Sequence, residues 1–116
     1  MSDGILAGNL FAALPAAAAA GEEEESFDIL VERPALRIER IVSTGQATAP
    51  DTWLAQGGAE WVVLLRGAAG LRFEGEAEPR TLHPGDHVSI PPGVRHRVEW
   101  TDADAPTVWL AVHMPA

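Results

Sequence analysis

The chain has 116 residues, of which 47% are hydrophobic and 22% are charged, and this balance indicates a single globular domain. Asp and Glu outnumber Lys and Arg by 17 to 8, so the net charge of −9 makes nucleic acid a poor partner. Cysteine is absent, which excludes disulfides, thiolate nucleophiles and sulfur-ligated metals. Any metal ion must therefore be held by nitrogen and oxygen atoms.

Residues 1–35 predict an N-terminal segment that covers part of the main domain. The apolar stretch from Ile5 to Ala20 is interrupted by Asn9 and Pro15, and no Lys or Arg precedes it, so we expect neither a membrane span nor a secretory signal. Residues 9–14 are compatible with one helical turn. The alanine-rich and acidic residues 15–25 predict a solvated linker. We expect a cytoplasmic protein without membrane contact.

From residue 36 onward, short apolar runs alternate with Gly- and Pro-containing turns, which predicts an all-β domain over residues 36–116. Residues 36–42 alternate apolar and charged side chains, as expected for a strand with one face in water. Residues 61–65 are apolar on both faces and predict a central, covered strand. Further strands are predicted over residues 71–74, 87–90, 94–100 and 107–113, for a total of seven or eight.

Two Pro-Gly pairs mark the turns in the second half of the chain. Pro84-Gly85 and Pro92-Gly93 have the residue order of type II turns, in which a fixed φ is followed by a positive φ. Asp86 is expected to cap the first turn through backbone amides. His83 and His87 flank this turn and are expected to lie in solvent.

The spacing of Gly85, Pro91, Gly93 and His96 resembles the second motif of the cupin superfamily. Glu60 followed seven residues later by Gly67 is similar to the second half of the first cupin motif. This resemblance implies a cupin-type jelly-roll β-barrel. The two histidines of the first motif are replaced here, by Leu54 and Gln56 or by Trp53 and Ala55, according to the spacing chosen.

The resemblance also implies a metal site, because cupins commonly hold Fe, Mn, Ni or Zn with residues of these two motifs. Glu60 and His96 match the family ligands, and Gln56 and His113 are candidates to complete the set. A second interpretation needs no metal, because Glu60 and His96 can pair directly through a charge-assisted hydrogen bond.

Strand alternation predicts which side chains face the interior. His96 shares one face with Val98 and Trp100, while the opposite face carries two arginines and a glutamate, which are costly to bury. On the preceding strand, Gln56 and Glu60 share a face with Val62 and Leu64. We therefore predict a ligand pocket lined by Trp100, Val98, Val62 and Leu64.

The leading functional hypothesis is a small cupin that binds a divalent metal ion and a small organic ligand in its barrel. The reaction type stays undetermined and no catalytic residue is assigned, so enzyme activity is left open. The alternatives are a metal-free binding or sensing cupin and a non-catalytic dimeric module. The resemblance implies a homodimer, because small cupins often associate through their sheets. The outer face of Trp61, Val63 and Leu65 agrees with this, since it must be covered by the N-terminal segment or by a second subunit.

Overall fold

The computed structural model describes residues 4–15 and 25–115, which fold into two antiparallel β-sheets. The strands, in chain order, are β1 (Ser26–Arg33), β2 (Leu36–Ser43), β3 (Ala59–Arg66), β4 (Ala69–Phe73), β5 (Arg80–Leu82), β6 (His87–Ile90), β7 (His96–Thr101) and β8 (Thr107–Met114). The larger sheet has the order β1-β2-β8-β3-β6 and the smaller one β5-β4-β7. Within the described ranges there is no helix that could cross a membrane.

The strands predicted from residue 36 onward are confirmed, with their ends shifted by a few residues. Alternation and turn residues located them well because most of these strands are followed within two residues by Gly or Pro. Gly85 and Gly93 have φ angles of 95° and 77°, as the predicted turns require. Asp86 accepts a hydrogen bond from the amide of His83 (2.8 Å), and both His83 and His87 are exposed, as expected.

Two expectations about architecture are wrong. The domain is not a closed barrel but a pair of sheets. The predicted helical turn at residues 9–14 is a hydrogen-bonded turn, in which the amide of Ala12 donates to the carbonyl of Asn9 (3.0 Å). The side chain of Asn9 also accepts from the amide of Phe11 (2.8 Å), and this local bond stabilises a turn in preference to a helix.

The segment expected to cover the domain contributes a strand as well. β1 falls within residues 1–35 and pairs with β2 along its length, which makes it the edge of the larger sheet. Preceding residues contact the same sheet, because Arg40 donates to the backbone carbonyls of Leu10 and Ala12 and also pairs with Asp28. Of the predicted linker 15–25, residues 16–24 lie outside the described residues.

The closed part of the interior is apolar. Its buried members, drawn from both sheets, are Leu64, Ala69, Leu71, Leu82 and Trp109. Ile41, Phe73, Val88 and Val98 pack against this cluster and are partly buried. Burial of such side chains contributes about 1.5–3 kcal/mol each to folding, so this cluster is the main source of stability.

Gly67 ends the first motif at a position where no other residue fits. Its φ is 89°, and a Cβ atom there would lie 2.8 Å from the Cα of Thr107. A larger residue would therefore push β8 away from the turn that joins β3 to β4. The packing of β8 against β3 matters for the site, because these two strands carry His113 and Glu60.

Candidate ligand-binding site

A cavity of about 240 Å³ lies between the two sheets, next to the apolar cluster. Its lining combines carboxylates, imidazoles and an amide with apolar side chains. The lining residues are Glu25, Phe27, Glu39, Ile41, Leu54, Gln56, Glu60, Val62, Leu71, Ile90, His96, Val98, Trp109 and His113. Concave sites that mix apolar walls with a few polar groups are typical of small-molecule binding.

Glu60 lies near the start of β3 with its side chain buried, and Gln56 precedes the strand. The Gln56 amide donates to Glu60 Oε2 (2.9 Å), which fixes the orientation of both side chains. The second motif holds Gln56 in place, because the amide of Gly93 donates to the Gln56 carbonyl (2.8 Å). The two motifs that were recognised separately in the sequence thus meet at this residue.

His113 on β8 is buried between two carboxylates. Its Nε2 lies 2.7 Å from Glu39 Oε1, and its Nδ1 lies 3.0 Å from Glu60 Oε2 and 2.9 Å from the Gln56 side-chain oxygen. Because both ring nitrogens face oxygen acceptors, only the imidazolium form donates at both positions. We assign His113 as a cation that links Glu39 to Glu60 by charge-assisted hydrogen bonds.

His96 on β7 presents a different arrangement. Its Nδ1 faces the carbonyl of Val94 (3.0 Å), so this nitrogen carries the proton, and Nε2 is left facing the cavity. Nε2 lies 4.0 Å from Glu60 Oε1, which is beyond hydrogen-bond distance, and it makes no hydrogen bond to any residue of the described ranges. The side chain is only 6% exposed. Nε2 therefore offers a hydrogen-bond acceptor toward the cavity, where a ligand can donate to it.

A third carboxylate, Glu25, lies where β1 begins. Trp109 Nε1 donates to the Ser43 hydroxyl (3.2 Å), and Ser43 in turn donates to Glu25 Oε2 (2.8 Å). Burial raises the pKa of Glu25 above its usual value of 4.5; the Ser43 hydrogen bond opposes this shift, and the negative charge of Glu39 adds to it. The Glu25 carboxyl group lies at this side of the cavity, next to Phe27, and burial favours its protonated form.

The structure brings together the four residues predicted as metal ligands, namely Gln56, Glu60, His96 and His113, within one cavity. The side chains of His96 and Glu60 point into the cavity, as the alternation of side chains along their strands predicts. Whether these residues bind an ion stays a prediction.

Of the predicted pocket residues, Val62 and Val98 line the cavity, whereas Leu64 and Trp100 do not. Leu64 is fully buried in the apolar cluster. Trp100 lies against Gly70 and is 38% exposed. Its predicted inward direction is wrong because the β4–β7 pairing shifts between Gly70 and Leu71, which reverses the alternation after Val98.

Sequence analysis missed Glu39 and Glu25. Glu39 was placed on the water-facing side of its strand, yet it is 8% exposed and points into the cavity. Residues 36–43 carry polar side chains on both faces, so alternation alone does not choose between them. The inward position of Glu39 follows from the pairing of β2 with β8, which brings Glu39 close to His113. This pairing cannot be read from the sequence.

Residues 40–113 match the family model described as the cupin domain, which is more than half of the chain. This chain belongs to the cupin family. A search of curated proteins finds no match to it.

Solved cupin structures support this assignment. The chain is similar to a crystal structure of a provisionally assigned mannose-6-phosphate isomerase from Ralstonia eutropha, with 47% identity over 97% of this chain and 100% of that one and a TM-score of 0.89. A cupin superfamily protein from Desulfitobacterium hafniense shares the fold at 16% identity, over 85% and 84% of the two chains, with a TM-score of 0.67. A Bordetella pertussis cupin domain does so at 18%, over 81% and 96%, with a TM-score of 0.63.

Cupins commonly bind metal ions, and tight binding of a divalent ion requires several free nitrogen and oxygen ligands. His96 Nε2 and Glu60 Oε1 face each other without a hydrogen bond, which supplies two ligands. His113 has both nitrogens engaged with carboxylates, and Gln56 is bonded to Glu60 and His113. No group of three or more His, Asp or Glu side chains with metal-binding geometry occurs in the described part of the chain. This arrangement does not fit a tightly held divalent ion.

The arrangement can instead accept hydrogen bonds at defined atoms. His96 Nε2 accepts a proton or a hydrogen bond, and Glu60 Oε1 is a second acceptor on the same side of the cavity. The link from Glu39 through His113 to Glu60 holds the Glu60 carboxylate in a fixed orientation. The cavity is therefore preorganised to receive a hydrogen-bond donor.

Proposed function

We propose that this cupin binds a small organic molecule in the cavity between its two sheets, and that His96 makes the central polar contact. The observation that carries the proposal is the position of His96 Nε2, which faces the cavity without a hydrogen bond among the described residues. The cavity of about 240 Å³ is smaller than the range of roughly 300–1,000 Å³ that accommodates drug-sized ligands. The ligand is accordingly a compact molecule.

The proposal does not extend to phosphorylated sugars, although the similar Ralstonia eutropha protein is provisionally assigned as a mannose-6-phosphate isomerase. A phosphate group is usually held by Arg, Lys or helix N-termini. The cavity lining contains Glu25, Glu39 and Glu60, and neither Arg nor Lys is found among the described residues that line it. A dianionic group would be repelled by these carboxylates.

Binding of two compact probes, cyclohexanol and cyclohexylamine, tests the proposal. We expect at least one of them to raise the melting temperature and to shift the NMR signals of the His96 imidazole. Val98→Phe places a larger side chain at the cavity wall and should abolish both effects. Ile38→Phe is the matched control, because Ile38 does not line the cavity.

The result that contradicts the proposal is equally definite. If neither probe is detected by titration calorimetry or NMR, or if Val98→Phe binds as well as the wild type, the cavity is not the binding site. Circular dichroism of each variant shows whether the two sheets have formed.

A divalent ion is a second candidate ligand, favoured by the pair of His96 Nε2 and Glu60 Oε1. Metal analysis of untagged protein after incubation with Fe(II), Mn(II), Ni(II) or Zn(II) distinguishes the candidates. With only two free donors, we expect well below one ion per chain. One ion per chain that is lost in His96→Ala would instead establish the metal site predicted from the sequence.

The homodimer predicted from the sequence also stays a prediction. Phe27 and Ile29, which are two positions apart on the edge strand β1, are 56% and 57% exposed, and exposed apolar side chains on an edge strand favour contact with a second chain. Light scattering coupled to size-exclusion chromatography measures the mass directly. Phe27→Ser should produce a monomer if β1 forms the contact.

A further inference from the structure

The charge of the cavity lining narrows the ligand class, and this step rests on the proposed function. Glu25, Glu39 and Glu60 contribute carboxylates, while the His113 imidazolium lies between two of them. The closest guanidinium to these groups is that of Arg37, whose Nε lies 4.0 Å from Glu39 Oε2 and whose side chain is 41% exposed. The lining therefore holds three acidic side chains and, among the described residues, neither Arg nor Lys.

Two atoms without a hydrogen bond, His96 Nε2 and Glu60 Oε1, lie close together at the cavity. His96 Nε2 and Glu60 Oε1 are 4.0 Å apart and both side chains are buried, at 6% and 10% exposure. An N–H donor placed between these two atoms can hydrogen-bond to both. A single nitrogen with two N–H groups, placed about 2.9 Å from each acceptor, satisfies both.

The apolar side chains of the cavity lining indicate that the rest of the ligand is a hydrocarbon group. Phe27 and Trp109 supply aromatic surface, and Ile41, Ile90 and Val98 supply aliphatic surface. An apolar body in contact with these side chains is favoured by burial. The aromatic rings also attract a cation by their π-electrons.

We infer that the cavity takes a small primary amine in its ammonium form, with a compact apolar body. The ammonium group donates to His96 Nε2 and Glu60 Oε1, and its charge is balanced by the surplus of carboxylates. The hydrocarbon part lies against Trp109, Ile41 and Val98. A neutral alcohol of the same shape satisfies only one acceptor and brings no charge, and a carboxylate is repelled.

Four probes with one cyclohexyl body separate the contributions of charge and of N–H donation. Titration calorimetry with the full chain should show cyclohexylamine binding about tenfold or more tightly than cyclohexanol, because a charge-assisted hydrogen bond is worth about 1.5–3 kcal/mol. Cyclohexyltrimethylammonium keeps the charge but has no N–H group, so it should bind more weakly than cyclohexylamine. Cyclohexanecarboxylate should show no binding.

Variants assign the preference to the two acceptors. Glu60→Gln should remove most of the advantage of cyclohexylamine over cyclohexanol, because the variant lacks the charged acceptor. Glu74→Gln is the matched control, because Glu74 is exposed and pairs with Arg95 on the surface. If Glu60→Gln does not fold, Glu25→Gln gives a second test, with a smaller loss of amine preference.

The outcomes separate the amine inference from the proposed binding function. Equal affinity for cyclohexylamine and cyclohexanol overturns the amine inference and leaves the binding function standing. Preference for cyclohexanecarboxylate overturns the inference as well. Absence of binding by all four probes overturns both the inference and the proposed function.

Discussion

The interior of this cupin has two ends that are built from the same strands but differ in chemistry. β3 carries Glu60 at one end and Leu64 at the other. The antiparallel strand β8 places His113 beside Glu60 and Trp109 beside Leu64. Around Leu64 the smaller sheet closes over the larger one, and the space is filled by apolar side chains. Around Glu60 the sheets leave a cavity, and the buried groups are polar.

This difference separates stability from binding along each strand. The apolar end gains free energy by excluding water, whereas the polar end holds buried carboxylates that need His113 to compensate them. Substitution of Leu64, which does not line the cavity, should therefore lower the free energy of unfolding and spare the cavity. Substitutions at the polar end should change both the free energy of unfolding and ligand binding in the cavity.

Leu64→Ala should have the largest effect on stability. Leu64 is fully buried in the apolar cluster, and loss of such a side chain costs about 3–5 kcal/mol. Urea denaturation followed by tryptophan fluorescence measures this loss, with Leu6→Ala as a control at an 89% exposed position. A loss below about 1 kcal/mol would mean that the two ends are not distinct in packing.

His113→Ala should be the next most destabilising change, by about 3 kcal/mol, because Glu39 and Glu60 would be left buried without their shared cation. Adding Glu39→Gln to this variant should recover part of the loss, since one of the uncompensated charges is removed. His83→Ala, at an exposed turn, is the control. If the double variant is no more stable than His113→Ala, the imidazolium assignment fails.

Gly70→Ala tests the outward position of Trp100. A Cβ atom at residue 70 would collide with the Trp100 indole, so we expect a loss of about 1–3 kcal/mol and a change in tryptophan fluorescence. Trp100→Ala in the same chain should relieve the collision. Gly57→Ala, where no atom lies within 4 Å of the added Cβ, should change stability by less than about 0.5 kcal/mol.

Glu25 gives the smallest effect, seen as a dependence on pH. Because burial raises its pKa above 4.5 in the folded state, its contribution to stability is present below that value and is lost as the pH rises through the raised pKa. The melting temperature of the wild type, measured against that of Glu25→Gln from about pH 4 to about pH 8, should therefore fall with increasing pH. Parallel profiles for the two proteins would contradict the raised pKa.

The sequence predicted the strands and the facing of Glu60 and His96 because both depend on local alternation and on turn residues. It did not predict the inward position of Glu39, which depends on the register between β2 and β8. Trp100 was misplaced because a single irregularity in the β4–β7 pairing reverses every later side chain. His113 was recognised as a candidate, but its two carboxylate partners come from β2 and β3, which are distant in sequence.

Leu54 pairs with His96 through main-chain atoms alone, with N···O distances of 2.7 and 2.9 Å. The backbone at this position is therefore held regardless of which side chain it bears, and Leu54 is 42% exposed. Because Leu54 also lines the cavity, its side chain can be exchanged to change the rim of the cavity while these two main-chain hydrogen bonds stay in place.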